Sequence, residues 1–159
     1  MAEHREQDRD QDREQERDYR PSPSGWVRRQ VEQIEAAGDT GVVDIMGRPV
    51  VLLTMRGAKT GAIRKVPLMR VEHEGTYAAV ASKGGAPEHP QWFHNLVADP
   101  RIELQDGKQT WSAVARQIDG DEYATWWQRC VDAFPAYAEY EVSAAAADRR
   151  IPVFVLERS

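Results

Sequence analysis

Three stretches of this 159-residue chain carry residue types able to hold or transform a ligand. The first runs from Ile45 to Val71. It contains no acidic residue, yet it holds Arg48, Arg56, Lys59, Arg64, Lys65 and Arg70. Arg and Lys grip phosphate and carboxylate oxygens, and Gly57 and Gly61 let backbone N–H groups come close. The segment reads as an anion site. The plainer alternative is a solvated basic loop whose counter-ions come from elsewhere in the fold. The pattern matches neither G-x-x-x-x-G-K-[ST] nor G-x-G-x-x-G, so the two familiar phosphate-binding loops are excluded.

The second stretch is Ala81-Ser82-Lys83-Gly84-Gly85-Ala86-Pro87, followed by His89-Pro90-Gln91-Trp92-Phe93-His94-Asn95. A strand ends in Lys-Gly-Gly, and a proline-bounded turn then delivers two aromatic rings and an amide. The glycine pair permits positive φ and close backbone approach. Trp92 and Phe93 offer flat apolar walls for a planar ring, or serve simply as core. Ser82 and Asn95 can hydrogen-bond ring carbonyls. The third stretch runs from Phe134 to Tyr140. Tyr137 and Tyr140 are three apart and share a helix face. Their phenols can stack on a ligand or donate to a developing oxyanion, or they are core tyrosines.

Other chemistries find no support. His73, His89 and His94 lack metal-ligand spacing, so no metal centre is expected. There is no G-x-S-x-G elbow. Cys130 falls on a helix face with no base beside it and reads as a small buried hydrophobe. The formal net charge of -5 argues against a nucleic-acid-coating protein. No secretory h-region or bilayer-spanning run is apparent, which points to the cytoplasm with peripheral membrane contact left open.

These groups need elements to position them. Residues 1–20 carry eight acids and five arginines with no apolar face, so a charged, disordered tail is expected there. The folded domain, 21–159, opens with a helix capped by Ser24 and stopped by Gly38. Val50–Met55, Lys65–Val71 and Thr76–Ser82 read as strands, and Gln91–Ala98 as a short helix. Arg101–Gln105 and Gln109–Ile118 flank Asp106-Gly107, a strong hairpin signal. Helices over Asp121–Ala133 and Tyr137–Arg149 lead to a closing strand, Ile151–Glu157. Strands joined by hairpin-length loops predict an antiparallel sheet or barrel with packed helices, an α+β and mainly β fold.

The stretches Leu52–Gly61, Pro67–Val71, Val80–Pro87, His89–Leu96, Pro135–Tyr140 and Ile151–Val153 together resemble one family. It is the deazaflavin (F420)-dependent nitroreductase and quinone reductase family, and the resemblance spans roughly residues 24–158. It implies an FMN-binding-like split β-barrel and hydride transfer from reduced coenzyme F420 to a quinone, nitroaromatic or other unsaturated acceptor. By that resemblance Lys59, Thr60, Arg64 and Lys65 meet the cofactor's phosphate and oligoglutamate. Val66, Pro67, Leu68 and Met69 border its ring, as do Val80, Ala81, Ser82 and Lys83. Gln91, Trp92, Phe93, His94 and Asn95 supply the opposite wall. Tyr137, Tyr140 and Ser82 become the candidate catalytic groups. One departure is Phe134, where relatives carry a tyrosine, which argues against nitro-drug reduction. Competing readings are an FMN-dependent split-barrel oxidoreductase and a non-catalytic carrier of the deazaflavin or of a lipid-like quinone. The expected partner is a small-molecule acceptor, with the chain a monomer or homodimer.

Overall fold

The structure, a computed structural model, describes residues 19–159. The expectation of a disordered tail falls almost wholly on residues 1–18, outside the described residues. Tyr19 already forms a bridge with Ile63, and the Arg20 N–H donates to the Ile63 carbonyl at 2.9 Å.

Helix α1 (Gly25–Ala37) ends at Gly38, which adopts φ 64°, the left-handed C-cap that glycine accepts at no steric cost. Ser24 is its N-cap residue, but the Ser24 hydroxyl makes no capping hydrogen bond. Seven strands follow: β1 (Val50–Arg56), β2 (Ile63–Met69), β3 (Val71–His73), β4 (Thr76–Val80), β5 (Arg101–Asp106), β6 (Gln109–Gln117) and β7 (Val153–Arg158). Helix α2 (Gln91–Ala98) separates β4 from β5, while α3 (Gly120–Ala133) and α4 (Ala136–Ala146) separate β6 from β7. All pairings are antiparallel, in the order β2-β1-β5-β6-β7-β4-β3.

That order forces curvature. β2 and β3 stand at opposite ends of the sheet, yet only Arg70 separates them along the chain. The sheet must curl until its two edges approach, which makes a split β-barrel. The single strand expected over Lys65–Val71 is therefore two strands. The Arg70 N–H donates to the Pro49 carbonyl, and its guanidinium reaches Asp106, which leaves the chain free to change edges at this residue.

Alternation assigns the strand faces. Val51, Leu53 and Met55 of β1 pack into the barrel with Leu104, Phe154 and Leu156, while Val50 and Leu52 meet Val31 and Ile34 of α1. Both faces of β1 are covered, which is why it reads as an uninterrupted apolar run. β6 alternates buried Ala113 and Ala115 with exposed Ser112, Val114 and Arg116, as befits a strand with one wet face. Val153 and Val155 of β7 face a second core with α3 and α4 that contains Trp126, Cys130 and Tyr137. Burial pushes the Cys130 thiol up to about 12. The hairpin pairs Asp106 with Gln109, so its two loop residues are Gly107 and Lys108, with Gly107 at φ 63°. Asp106 instead accepts from the Tyr77 hydroxyl at 2.5 Å and from Arg70 Nε at 3.0 Å.

Candidate active site

A cleft of about 650 Å³ opens at the seam where β2 approaches the end of β4. This volume lies within the range of small-molecule sites. Arg64, Lys65, Val66, Pro67, Leu68 and Met69 of β2 form one wall. Val80, Ser82, Lys83 and Gly84 form a second. Pro90, Gln91, Trp92 and Asn95 from the start of α2 close a third side, and Phe134, Tyr137 and Tyr140 close a fourth.

The structure thus brings together most of the residues singled out from the sequence. Ala81, Phe93 and His94 do not line the cleft. On a helix each residue turns 100°, so Gln91, Trp92 and Asn95 share one face and the two residues between them turn away. Phe93 packs 5.8 Å from Phe154 and 4.2 Å from His89, centroid to centroid, and His94 is exposed. Ala81 is fully buried. Lys59 and Thr60 sit exposed on the loop between β1 and β2, next to the cleft wall but not on it.

The six cations of the acid-free segment do not all lack counter-ions, as the sequence suggested. Lys65 pairs with Glu35 of α1, and Arg70 pairs with Asp106. Arg48 donates to the Ala133 carbonyl at 2.9 Å, and Arg56 to the Gly61 carbonyl at 3.1 Å. Among the described residues, Lys59 and Arg64 form no ion pair. Arg64 lines the cleft, so its charge is available to a bound anion.

Asn95 is 3% exposed, and its Oδ1 accepts the Ala58 N–H at 2.9 Å. The residue expected to meet a ring carbonyl thus ties the basic loop to α2. Tyr137 is buried, and its hydroxyl has no hydrogen-bond partner among the described residues. Burial pushes this phenol well above its ordinary range, so it remains a neutral donor at physiological pH. Gly85 explains how α4 comes so close. A Cβ there would stand 2.7 Å from the Tyr140 carbonyl oxygen and 2.9 Å from the Tyr140 Cα. Only glycine lets the strand end lie against α4 and bring Tyr140 and Tyr137 over the cleft.

Three contributors escaped the sequence reading. Trp26 and Met46, 50% and 72% exposed, stand at the cleft mouth, with Ile45 behind them. They come from α1 and the loop before β1, and no local pattern marks them. The third is Arg149, whose guanidinium holds the Ser82–Ala86 turn from behind. No group of His, Cys, Asp and Glu among the described residues could hold a metal ion, and no described helix is long and apolar enough to cross a membrane.

A sequence profile for F420H(2)-dependent quinone reductase matches residues 26–158. The chain belongs to this family. An F420H(2)-dependent quinone reductase of Mycobacterium tuberculosis (strain H37Rv) is 37% identical over 114 residues, covering 69% of this chain and 74% of that protein. A solved F420-H2 dependent reductase is 49% identical, with a TM-score of 0.64, covering 72% of this chain and 99% of that one. Another solved structure, described as a domain-swapped dimer, is also 49% identical, with a TM-score of 0.66 over 86% of this chain and all of that one. A heme-binding protein of Mycobacterium smegmatis shares the fold at 19% identity and TM-score 0.54, over 79% of this chain and 50% of that one. The family member is an oxidoreductase of split-barrel architecture that uses reduced F420 as hydride donor.

Proposed function

We propose that the seam cleft holds reduced F420 and a quinone-type acceptor together, with Tyr137 facing both. The observation that carries this reading is the cleft's division of labour. Its β2 wall carries Arg64, which forms no ion pair among the described residues, and continues through apolar Val66, Pro67, Leu68 and Met69. An anionic tail and a flat ring in one molecule match that sequence of surfaces.

The cofactor, when bound, supplies a hydride, a two-electron donor chemistry. The chain's own residues do the rest. Arg64 and, from the adjoining loop, Lys59 and Thr60 receive phosphate and carboxylate oxygens, with Lys65 beside them. Val66–Met69 and Trp92 fix the plane of the ring, so that an acceptor between it and Tyr137 lies at reactive distance. Tyr137 and Tyr140 confine the acceptor, and the Tyr137 or Ser82 hydroxyl donates to the oxygen that gains charge. A quinone that takes up a hydride needs one further proton, relayed through these hydroxyls or taken from solvent. The apolar groups Trp26 and Met46 at the mouth suit an acceptor with an apolar body.

The test is oxidation of reduced F420 by menadione, followed spectroscopically, with wild type, Tyr137→Phe and Ser82→Ala. Turnover by wild type with a loss in either variant supports the assignment. Full turnover in both variants assigns the proton to solvent and removes the two hydroxyls from the mechanism. Absence of wild-type turnover despite tight cofactor binding would identify a carrier. We also infer a cytoplasmic homodimer, from the dimeric relative of 49% identity. Light scattering on the purified chain reads the mass directly.

A further inference from the structure

β2 presents its two cations to opposite sides. Its register with β1 sets Met55 opposite Arg64, Thr54 opposite Lys65, Leu52 opposite Pro67 and Val50 opposite Met69. Side chains alternate along a strand. Arg64 therefore shares a face with Val66 and Leu68, which pack into the barrel core. Lys65 shares the other face, that of Val50 and Leu52, which meet α1. β2 is an edge strand, so the cleft reaches both faces around its free side.

The α1 side of the cleft is built mostly from apolar groups. Trp26 and Val27 of α1, Ile45 and Met46 of the following loop, and Pro67 and Met69 of β2 line it. Met69 shares a cluster with Phe134 and Tyr137, and Ile45 and Tyr140 pack against that cluster. This side therefore runs on to the two phenols. Its charged group is Lys65, and that charge is cancelled from outside the cleft. Lys65 pairs with Glu35, which does not line the cleft, and Lys65 Nζ lies 5.3 Å from the centre of the Tyr19 ring. Lys83 is masked likewise, by Glu88 at 3.2 Å. Among the described residues, Arg64, Lys65 and Lys83 are the cations that line the cleft, and no acid lines it. Of these cations, only Arg64 has no acid paired with it.

An ammonium alone beside an apolar compartment attracts an anionic guest, more strongly where water is scarce. With a carboxylate against it, the pair presents almost no net charge. We propose that Glu35 determines acceptor specificity: by holding Lys65 in an ion pair it keeps the α1 side of the cleft neutral, so that this side takes an uncharged, apolar quinone and disfavours one that carries a sulfonate or carboxylate. Glu35 acts through Lys65 and touches no ligand. The proposal rests on the functional reading above, in which the acceptor lies next to Tyr137, and adds the acceptor's charge class to it.

The test compares menadione with 1,4-naphthoquinone-2-sulfonate on the full chain. The proteins are wild type, Glu35→Gln, Lys65→Met and the double variant. Binding is read by calorimetry, with and without oxidised F420, and turnover by oxidation of reduced F420. Comparing one quinone ratio across the proteins cancels the difference in intrinsic reactivity. Glu35→Gln raises the affinity and kcat/KM for the sulfonate by about two- to fivefold, the scale of a partly exposed ion pair, and leaves menadione unchanged. The gain disappears in about 1 M salt, where the screening length falls to about 3 Å. Lys65→Met leaves Glu35 unpaired and weakens sulfonate binding, and the double variant returns it to the wild-type level. An equal change for both quinones marks a structural role and overturns the proposal, as does an unchanged quinone ratio. A gain in F420 affinity with that ratio unchanged gives Lys65 to the cofactor's anionic tail and also overturns it. Absence of wild-type turnover defeats the functional reading alone, because calorimetry still reads the ratio. Absence of binding by both quinones in every protein overturns the two together.

Discussion

Asn95 Oδ1 accepts the Ala58 N–H at 2.9 Å, and this one bond joins the helix that walls the cleft to the loop that carries Lys59. In Asn95→Ala the Ala58 amide is left without its partner in a partly buried place. A stability loss of about 1–3 kcal/mol follows from such an unmet donor. The loop's hold on a polyanion weakens with it. Thermal denaturation and F420 fluorescence titration on the same variant should show both losses; loss of stability with unchanged affinity would uncouple the loop from the cofactor.

Arg64 and Lys59 separate two kinds of charge. Arg64 lines the cleft, whereas Lys59 is exposed on the loop. Arg64→Ala should weaken F420 binding by about tenfold or more, as expected for a charge-assisted hydrogen bond. Lys59→Ala should cost only about two- to fivefold, the scale of an exposed ion pair. Raising the salt concentration erases the Lys59 effect first, because exposed charges are screened more strongly. Titrations of both variants at two ionic strengths decide this, and the reverse order would place the anion outside the cleft.

Gly85 accepts no side chain. It adopts φ 80°, and a Cβ would press on Tyr140 backbone atoms that cannot swing aside. Backbone strain and overpacking each cost about 1–3 kcal/mol, so Gly85→Ala should destabilise the chain by about 3 kcal/mol. Calorimetry gives that loss. The variant should also lose turnover with acceptors through displaced Tyr137, while F420 affinity falls less.

His89 couples the cleft to pH. Arg149 Nε donates to its Nδ1, so that nitrogen must be unprotonated. Burial, then the Arg149 charge, then His94 lower its pKa from the ordinary 6.5. The unfolded chain therefore binds this proton more readily than the folded one. The stabilisation is complete above about pH 6.5 and fades as pH falls through the lower native value. Thermal midpoints taken across pH 5–8 should drop on the acid side only. His89→Gln, which retains an acceptor without titrating, should flatten that limb.

Much of this architecture is legible without coordinates, because its causes are local. The uninterrupted apolar run of β1, the Asp106-Gly107 turn and the stop at Gly38 each depend on neighbours in sequence. The cleft walls at 64–69 and 82–92 are legible for the same reason, being continuous strands and turns. What hides is set by distant contacts. Glu35 neutralises Lys65 across thirty residues, and Arg149 reaches back to Ser82 across sixty-seven. Asn95 shows that a correct residue can be assigned to the wrong partner, since an amide on a helix face looks the same whether it meets a ligand or a loop. Phe93 and His94 fall away from the wall because a short helix shows only one side to it.

Arg70 gives the barrel a consequence for ligand entry. The ring of strands is interrupted between its two edge strands, β2 and β3, and the chain crosses that gap covalently through this single residue. The groove can therefore widen or narrow about Arg70 without unzipping any rung of the ladder. A bulky guest is admitted at the expense of side-chain contacts across the gap, and the rest of the sheet keeps its register throughout.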